Sequence, residues 1–209
     1  MNNLSKSLSL VTLLSLFTIS CSKSIRVGNG ETSNGPLTII NGTIAIGNNC
    51  TVTGKSRTTN GGITVGDNSE VDELQTINGN IQIGSNTTVK GNVATINGRI
   101  HCNSGSQVSG TLSTINGGIT LKETAVTGNL TTINGHITLA RGSKVQGDIV
   151  LRSRSAGSSY PKKPLVIRLS DSSVVEGGII NNDDRLDVQV IIADNSKVLG
   201  EIKNAKVEE

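Results

Sequence analysis

Six Asn-Gly pairs, at Asn41, Asn60, Asn78, Asn97, Asn116 and Asn134, follow one another at steps of 19, 18, 19, 19 and 18 residues. A second column keeps the same beat, with apolar residues at i and i+2: Ile25/Val27, Ile44/Ile46, Ile63/Val65, Ile81/Ile83, Ile100/Cys102, Ile119/Leu121 and Ile137/Leu139. A third is Val followed two residues later by Gly, at Val52, Val89, Val108, Val126, Val145, Val175 and Val198. Val71 keeps that column with Glu73 in place of Gly. An i, i+2 period is that of a strand. The runs are short and closed by Gly, Asn, Ser or Asp, which make turns. Three such strands with their turns fill 18 or 19 residues. That is one coil of a parallel β-helix, whose coils stack about 4.8 Å apart. A single coil cannot bury its apolar residues, so each needs the coils on either side.

The spacing therefore predicts an all-β, single-domain, right-handed parallel β-helix (solenoid) of about eight or nine coils over residues 25–202, with a left-handed helix as the alternative. Ile77, Ile81, Ile83, Val89, Val93 and Ile96 are expected to meet their counterparts in adjacent coils. Asn-Gly makes the corner, because both residues tolerate positive φ. Stacked in register, the six asparagines form a side-chain ladder. Thr59, Thr76, Thr95, Thr114 and Thr132 are expected to form a second one, and an exposed Thr-Asn array of that kind raises ordered-water binding as a remote function. The chain has one Phe, one Tyr and no Trp, so the core must be built from Ile, Val and Leu. The stretch 153–164, rich in Ser, Lys and Pro, breaks the beat and reads as a loop insertion. Residues 203–209 read as a charged tail capping the end.

Ahead of the repeats, Lys6 precedes the apolar run Leu8 to Ser20, and Cys21 follows. A basic start and an apolar run too short to span a bilayer describe an export signal over residues 1–20. Cys21 after Thr18-Ile19-Ser20 resembles the acylation site of bacterial lipoprotein signals, with Thr18 where Leu is usual. The resemblance implies a diacylglycerol on the Cys21 thiol, an acylated amine and a membrane anchor, since each buried methylene adds about 0.8 kcal/mol. By the same resemblance, to lipoproteins of bacteria with two membranes, Ser22 after the Cys implies sorting to the outer membrane, facing the periplasm. Residues 21–24 leave almost no tether.

Little in the chain points to turnover. A net charge of +3 gives no case for nucleic acid. Cys50 and Cys102 read as small fillers, neither as a disulfide nor as metal ligands. His136 falls at a variable corner position and His101 on an outward strand position, each without the partners that catalysis or zinc would need. Asp183, Asp184 and Asp187 read as a solvated turn. No hydrolase elbow or phosphate-cradling glycine loop is present, so no cofactor and no enzymatic activity are expected. The candidate contact region is the basic loop with Arg152, Arg154, Tyr160, Lys162, Lys163 and Arg168, suited to an anionic envelope glycan, lipopolysaccharide or an acidic protein face.

The Val-x-Gly-x-apolar and Gly-x-Ile-x-apolar columns, from Ile25 to about Ile202, resemble the bactofilins. These are polymer-forming bacterial cytoskeletal proteins built as right-handed three-sided β-helices. The resemblance implies a structural role with self-association. Bactofilins lie in the cytoplasm and carry disordered tails, whereas this chain begins with an export signal and starts its coils at once. The hexapeptide-repeat acyltransferases, left-handed with a strict six-residue period, accommodate the one-residue slips at Glu73 and at Lys122 to Ala125 less well. The function expected is that of a non-enzymatic envelope lipoprotein, a rigid scaffold or interaction protein held by Cys21. Binding through the basic loop is the alternative.

Overall fold

The computed structural model describes residues 24–154 and 163–208. It is a parallel β-solenoid with three faces and no helix among these residues. Face A has ten strands, from Ile25–Val27 to Lys206–Glu208. Face B has nine, from Thr32–Asn34 to Lys197–Val198, and face C nine, from Leu37–Asn41 to Ile202–Lys203. Every strand pairs in parallel with its counterpart one coil away. On face A the register runs Ile25, Ile44, Ile63, Ile81, Ile100, Ile119, Ile137. It then crosses the insertion to Ile167, Val190 and Val207. The charged tail thus contributes the last rung of face A.

The core is a stack of thin aliphatic layers. In a middle coil, Ile81 and Ile83 come from face A, Val89 from face B and Val93 from face C, all fully buried. Successive layers repeat this set, so removing one side chain exposes two neighbouring layers as well as its own.

The corner from face A to face B turns through a left-handed residue: Asn49, Asn68, Asn86, Gly105 and Glu123 have φ between 47° and 75°. The next residue is small, polar and buried: Cys50, Ser69, Thr87, Ser106 and Thr124. These groups close the turn by donating to main-chain carbonyls left open at the corner, as Ser69 Oγ does to Gly47 O at 3.0 Å and Thr87 Oγ1 to Gly66 O at 2.8 Å. Cys50 follows the same rule, its thiol lying 2.9 Å from Gly28 O.

The Asn-Gly corner works differently from expectation. None of its asparagines has positive φ, and among its glycines only Gly42 and Gly61 do, at 147° and 157°, close to extended. Glycine is needed there for contact. A Cβ on Gly98 would sit 1.9 Å from Gly79 O, and one on Gly117 1.8 Å from Gly98 O, so each glycine lies directly on the carbonyl of the coil before.

Candidate functional site

Parity along face C decides what Thr-Ile-Asn-Gly presents to solvent. Leu74, Val93, Leu112 and Leu130 are fully buried. Two residues on, the inward position falls on Thr76, Thr95, Thr114 and Thr132, and the Ile that follows points out. Thr95 is 3% exposed, whereas Ile96 is 39% and Ile115 37%. The expectation that Ile77 and Ile96 enter the core is therefore corrected. Val93 and Ile96 are three residues apart and cannot share a face of one strand. The threonine column contains Thr58, which pairs with Thr76, while Thr59 stands in the isoleucine column.

The inward threonines do specific work. Thr58, Thr76, Thr95 and Thr114 donate from Oγ1 to the carbonyls of Gly42, Gly61, Gly79 and Gly98 at 2.8 to 3.0 Å. An inward Ile would leave those carbonyls unpaired. Being buried, these threonines cannot form the exposed Thr-Asn array considered for ordered water. The asparagine ladder is present as expected. Asn60, Asn78, Asn97, Asn116 and Asn134 each donate from Nδ2 to the Oδ1 of the asparagine one coil back, at 2.7 to 2.9 Å.

Beside this ladder run Ile77, Ile96, Ile115 and Ile133, one per coil, exposed or half-buried. The neighbouring outward column of face C reads Gln75, Ala94, Ser113, Thr131, Val150 and Ile180 between Arg57 and Lys203. From Gln75 to Ile180 neither column carries a charge until Arg152 follows Leu151. The result is a flat uncharged strip edged by amides.

The basic cluster is brought together only in part. Arg152 and Lys163 are exposed at the two described ends of the insertion, and Arg168 is exposed on face A, paired with Thr138 and Ile191. Arg154 is half-buried, and its backbone N–H donates to Asp183 Oδ2 at 3.2 Å. Tyr160, Lys162 and Cys21 lie outside the described residues.

Asp183 departs from a solvated turn. It is 2% exposed, lies 3.4 Å from Arg185 Nε and accepts the Arg185 backbone N–H at 3.3 Å. The turn folds over the stack, with Leu186 and Asn181 buried beneath it, and Asn181 ties it to Asn204 O at 2.9 Å. Asp184 stays exposed. Asp187, also outside the core, pairs with Lys206 at 3.0 Å.

The two histidines are apart. His101 is half-buried, with Nε2 3.0 Å from Asn103 Oδ1. His136 is exposed as expected, but its Nδ1 accepts the Val166 backbone N–H at 2.9 Å, tying down the strand that returns from the insertion. Among the described residues no group of three potential metal ligands occurs. Two hollows lie at opposite ends of the stack, one lined by Arg26, Asn29 and Ala45, the other by Asp184, Asp187 and Lys206.

Comparison with protein-family models, with curated proteins and with solved structures found no match.

Proposed function

We propose that this protein is a non-enzymatic scaffold of the bacterial cell envelope, lipid-anchored through Cys21, and that face C is its contact surface. The observation that carries the contact surface is the isoleucine column, exposed or half-buried and unbroken over four consecutive coils in an uncharged stretch of face C. The core does not need these side chains, and a contiguous apolar strip on an otherwise polar surface is typical of an interaction site. Stacked coils that share every strand pairing make a stiff post, suited to holding such a strip at a fixed orientation to a membrane. The anchor rests on the export signal and the Cys21 context, and the short-coil repeat supports kinship with the bactofilins, including self-association as one use of the strip.

Intact-mass analysis of detergent-extracted protein tests the anchor. The wild type is expected to carry a mass gain matching acyl chains, and Cys21→Ala to lack it. An unmodified chain beginning near Cys21 would remove the anchor from the reading.

A second reading rests on exposed Arg152, Lys163 and Arg168 around the insertion. It makes the protein a binder of anionic glycan or lipopolysaccharide, by charge-assisted contact with phosphate or carboxylate. Replacing all three by Glu should abolish sedimentation with lipopolysaccharide-containing vesicles. Unchanged sedimentation would leave face C as the sole candidate.

A further inference from the structure

The chain carries two more Asn-Gly pairs, Asn29-Gly30 and Asn34-Gly35, outside the ladder. All eight have the same intrinsic chemistry. The Gly nitrogen, once deprotonated by solvent, attacks the Asn side-chain carbonyl carbon. The new N–Cγ bond closes a succinimide, the Cγ–Nδ2 bond breaks, and the side-chain nitrogen leaves as ammonia. Water then opens the ring to aspartate or isoaspartate. The side chain must swing toward its own main chain, so hydrogen bonds that hold the amide, or the Gly N–H, have to open first.

We infer that the ladder sorts these pairs, and that Asn34 and Asn134 are the sites of spontaneous succinimide formation in the folded protein. Asn60, Asn78, Asn97 and Asn116 are each held twice, donating at Nδ2 to one neighbour and accepting at Oδ1 from the other. Asn60 is held further, because the Gly61 N–H donates to Asn78 O at 3.0 Å. Asn41 accepts from Asn60, and its Gly42 N–H donates to Asn60 O at 2.9 Å. Asn134, the last rung, donates to Asn116 at 2.7 Å but accepts nothing, and the Gly135 N–H has no acceptor among the described residues. The exposed Asn34 side chain makes no hydrogen bond among the described residues, and its Gly35 N–H is shared between Thr53 O at 3.0 Å and Thr53 Oγ1 at 3.3 Å. Each bond that must open lowers the reactive population roughly two- to tenfold. Asn29 is also held twice, its Oδ1 accepting the Asn48 N–H at 2.8 Å and its Gly30 N–H donating to Asn48 O at 2.8 Å. Reactivity therefore ranks Asn34 and Asn134 first, then Asn29, Asn41, Asn78, Asn97 and Asn116, with Asn60 last.

Glycine-to-alanine variants cannot test this, because a Cβ on Gly135 would lie 1.5 Å from Gly117 O. Breaking the ladder from inside can. Asn97→Ala frees Asn78 Oδ1 and Asn116 Nδ2 and leaves all three bonds that hold Asn60 intact. The native protein and this variant are incubated in mildly alkaline buffer, and aspartate and isoaspartate are quantified at each site by peptide mass spectrometry. In the wild type, Asn34 and Asn134 should convert several-fold faster than the four doubly held rungs. In the variant, Asn78 and Asn116 should accelerate to the rate of Asn134 while Asn60 stays slow. Equal rates at all eight wild-type sites would overturn the inference. So would a variant in which Asn78 and Asn116 stay slow, or in which Asn60 accelerates alongside them.

Discussion

Single side chains in this fold are judged by the layer they enter. Cys102 pairs with Ile83 on one side and Leu121 on the other, and burial pushes its thiol from the ordinary 9.0 up to about 12. In the unfolded chain the thiol ionises near its ordinary value, while the folded protein keeps the proton. The Cys102 contribution to stability is thus intact below pH 9 and is lost as pH rises toward 12, with a slope of up to about 1.4 kcal/mol per pH unit. Cys102→Val matches the Val65 of its own column and should remove this slope. Urea midpoints of the two proteins should run parallel below pH 9, and the wild-type midpoint should fall relative to the variant's above it. Parallel lines throughout would mean that the thiol is solvated. Ser56 is the converse case. Its hydroxyl is buried with no partner among the described residues, in a column where Leu37 and Leu74 stand on either side. Ser56→Val should raise the urea midpoint, worth about 1 kcal/mol, by filling space and removing an unpaired hydroxyl.

Within a coil, the corners hold the information that periodicity alone does not show. The A-to-B corner demands a left-handed residue, supplied by Asn or Gly in most coils, but at Glu123 with φ 47°. A side chain of that kind costs about 1 kcal/mol in this conformation. Glu123→Gly should therefore stabilise by a similar amount, seen as a higher urea midpoint with unchanged steepness. No gain would mean that the Glu123 side chain makes a compensating contact in solution. The strands were legible because buried aliphatic residues alternate, and the Asn ladder because one residue type recurs at one spacing. The buried hydroxyls at Ser69, Thr87, Ser106 and Thr124 were not, since Ser and Thr in a turn read as solvated. Their signal was positional: each stands two residues before the buried Val of face B. The inward threonines escaped for a related reason. An Ile beside a Thr draws the inward assignment on hydrophobicity, and only counting parity from Val93 or Leu112 reverses it.

At the scale of the molecule, stacking gives every middle coil the same two neighbours, so stability is the sum of coil-to-coil interfaces. The insertion and the turn over Asp183 interrupt this regularity at one end, where the chain adds hydrogen bonds donated by Asn181 and Ser153 and one accepted by His136 to hold the returning strands. These could not be foreseen, because they join residues far apart in sequence that follow no period. What separates scaffold from contact surface is the division of labour inside Thr-Ile-Asn-Gly: threonine and glycine fasten coil to coil, and isoleucine is left outside. Thermal melts of Thr95→Lys and Ile96→Lys test that division directly. A lysine at Thr95 puts an unpaired charge into a site that is 3% exposed and should abolish the cooperative transition. A lysine at Ile96 should melt within a few degrees of the wild type, with a cost below about 1 kcal/mol. The reverse pattern, with Ile96→Lys unfolded and Thr95→Lys tolerated, would put the isoleucines in the core and leave face C without its proposed contact strip.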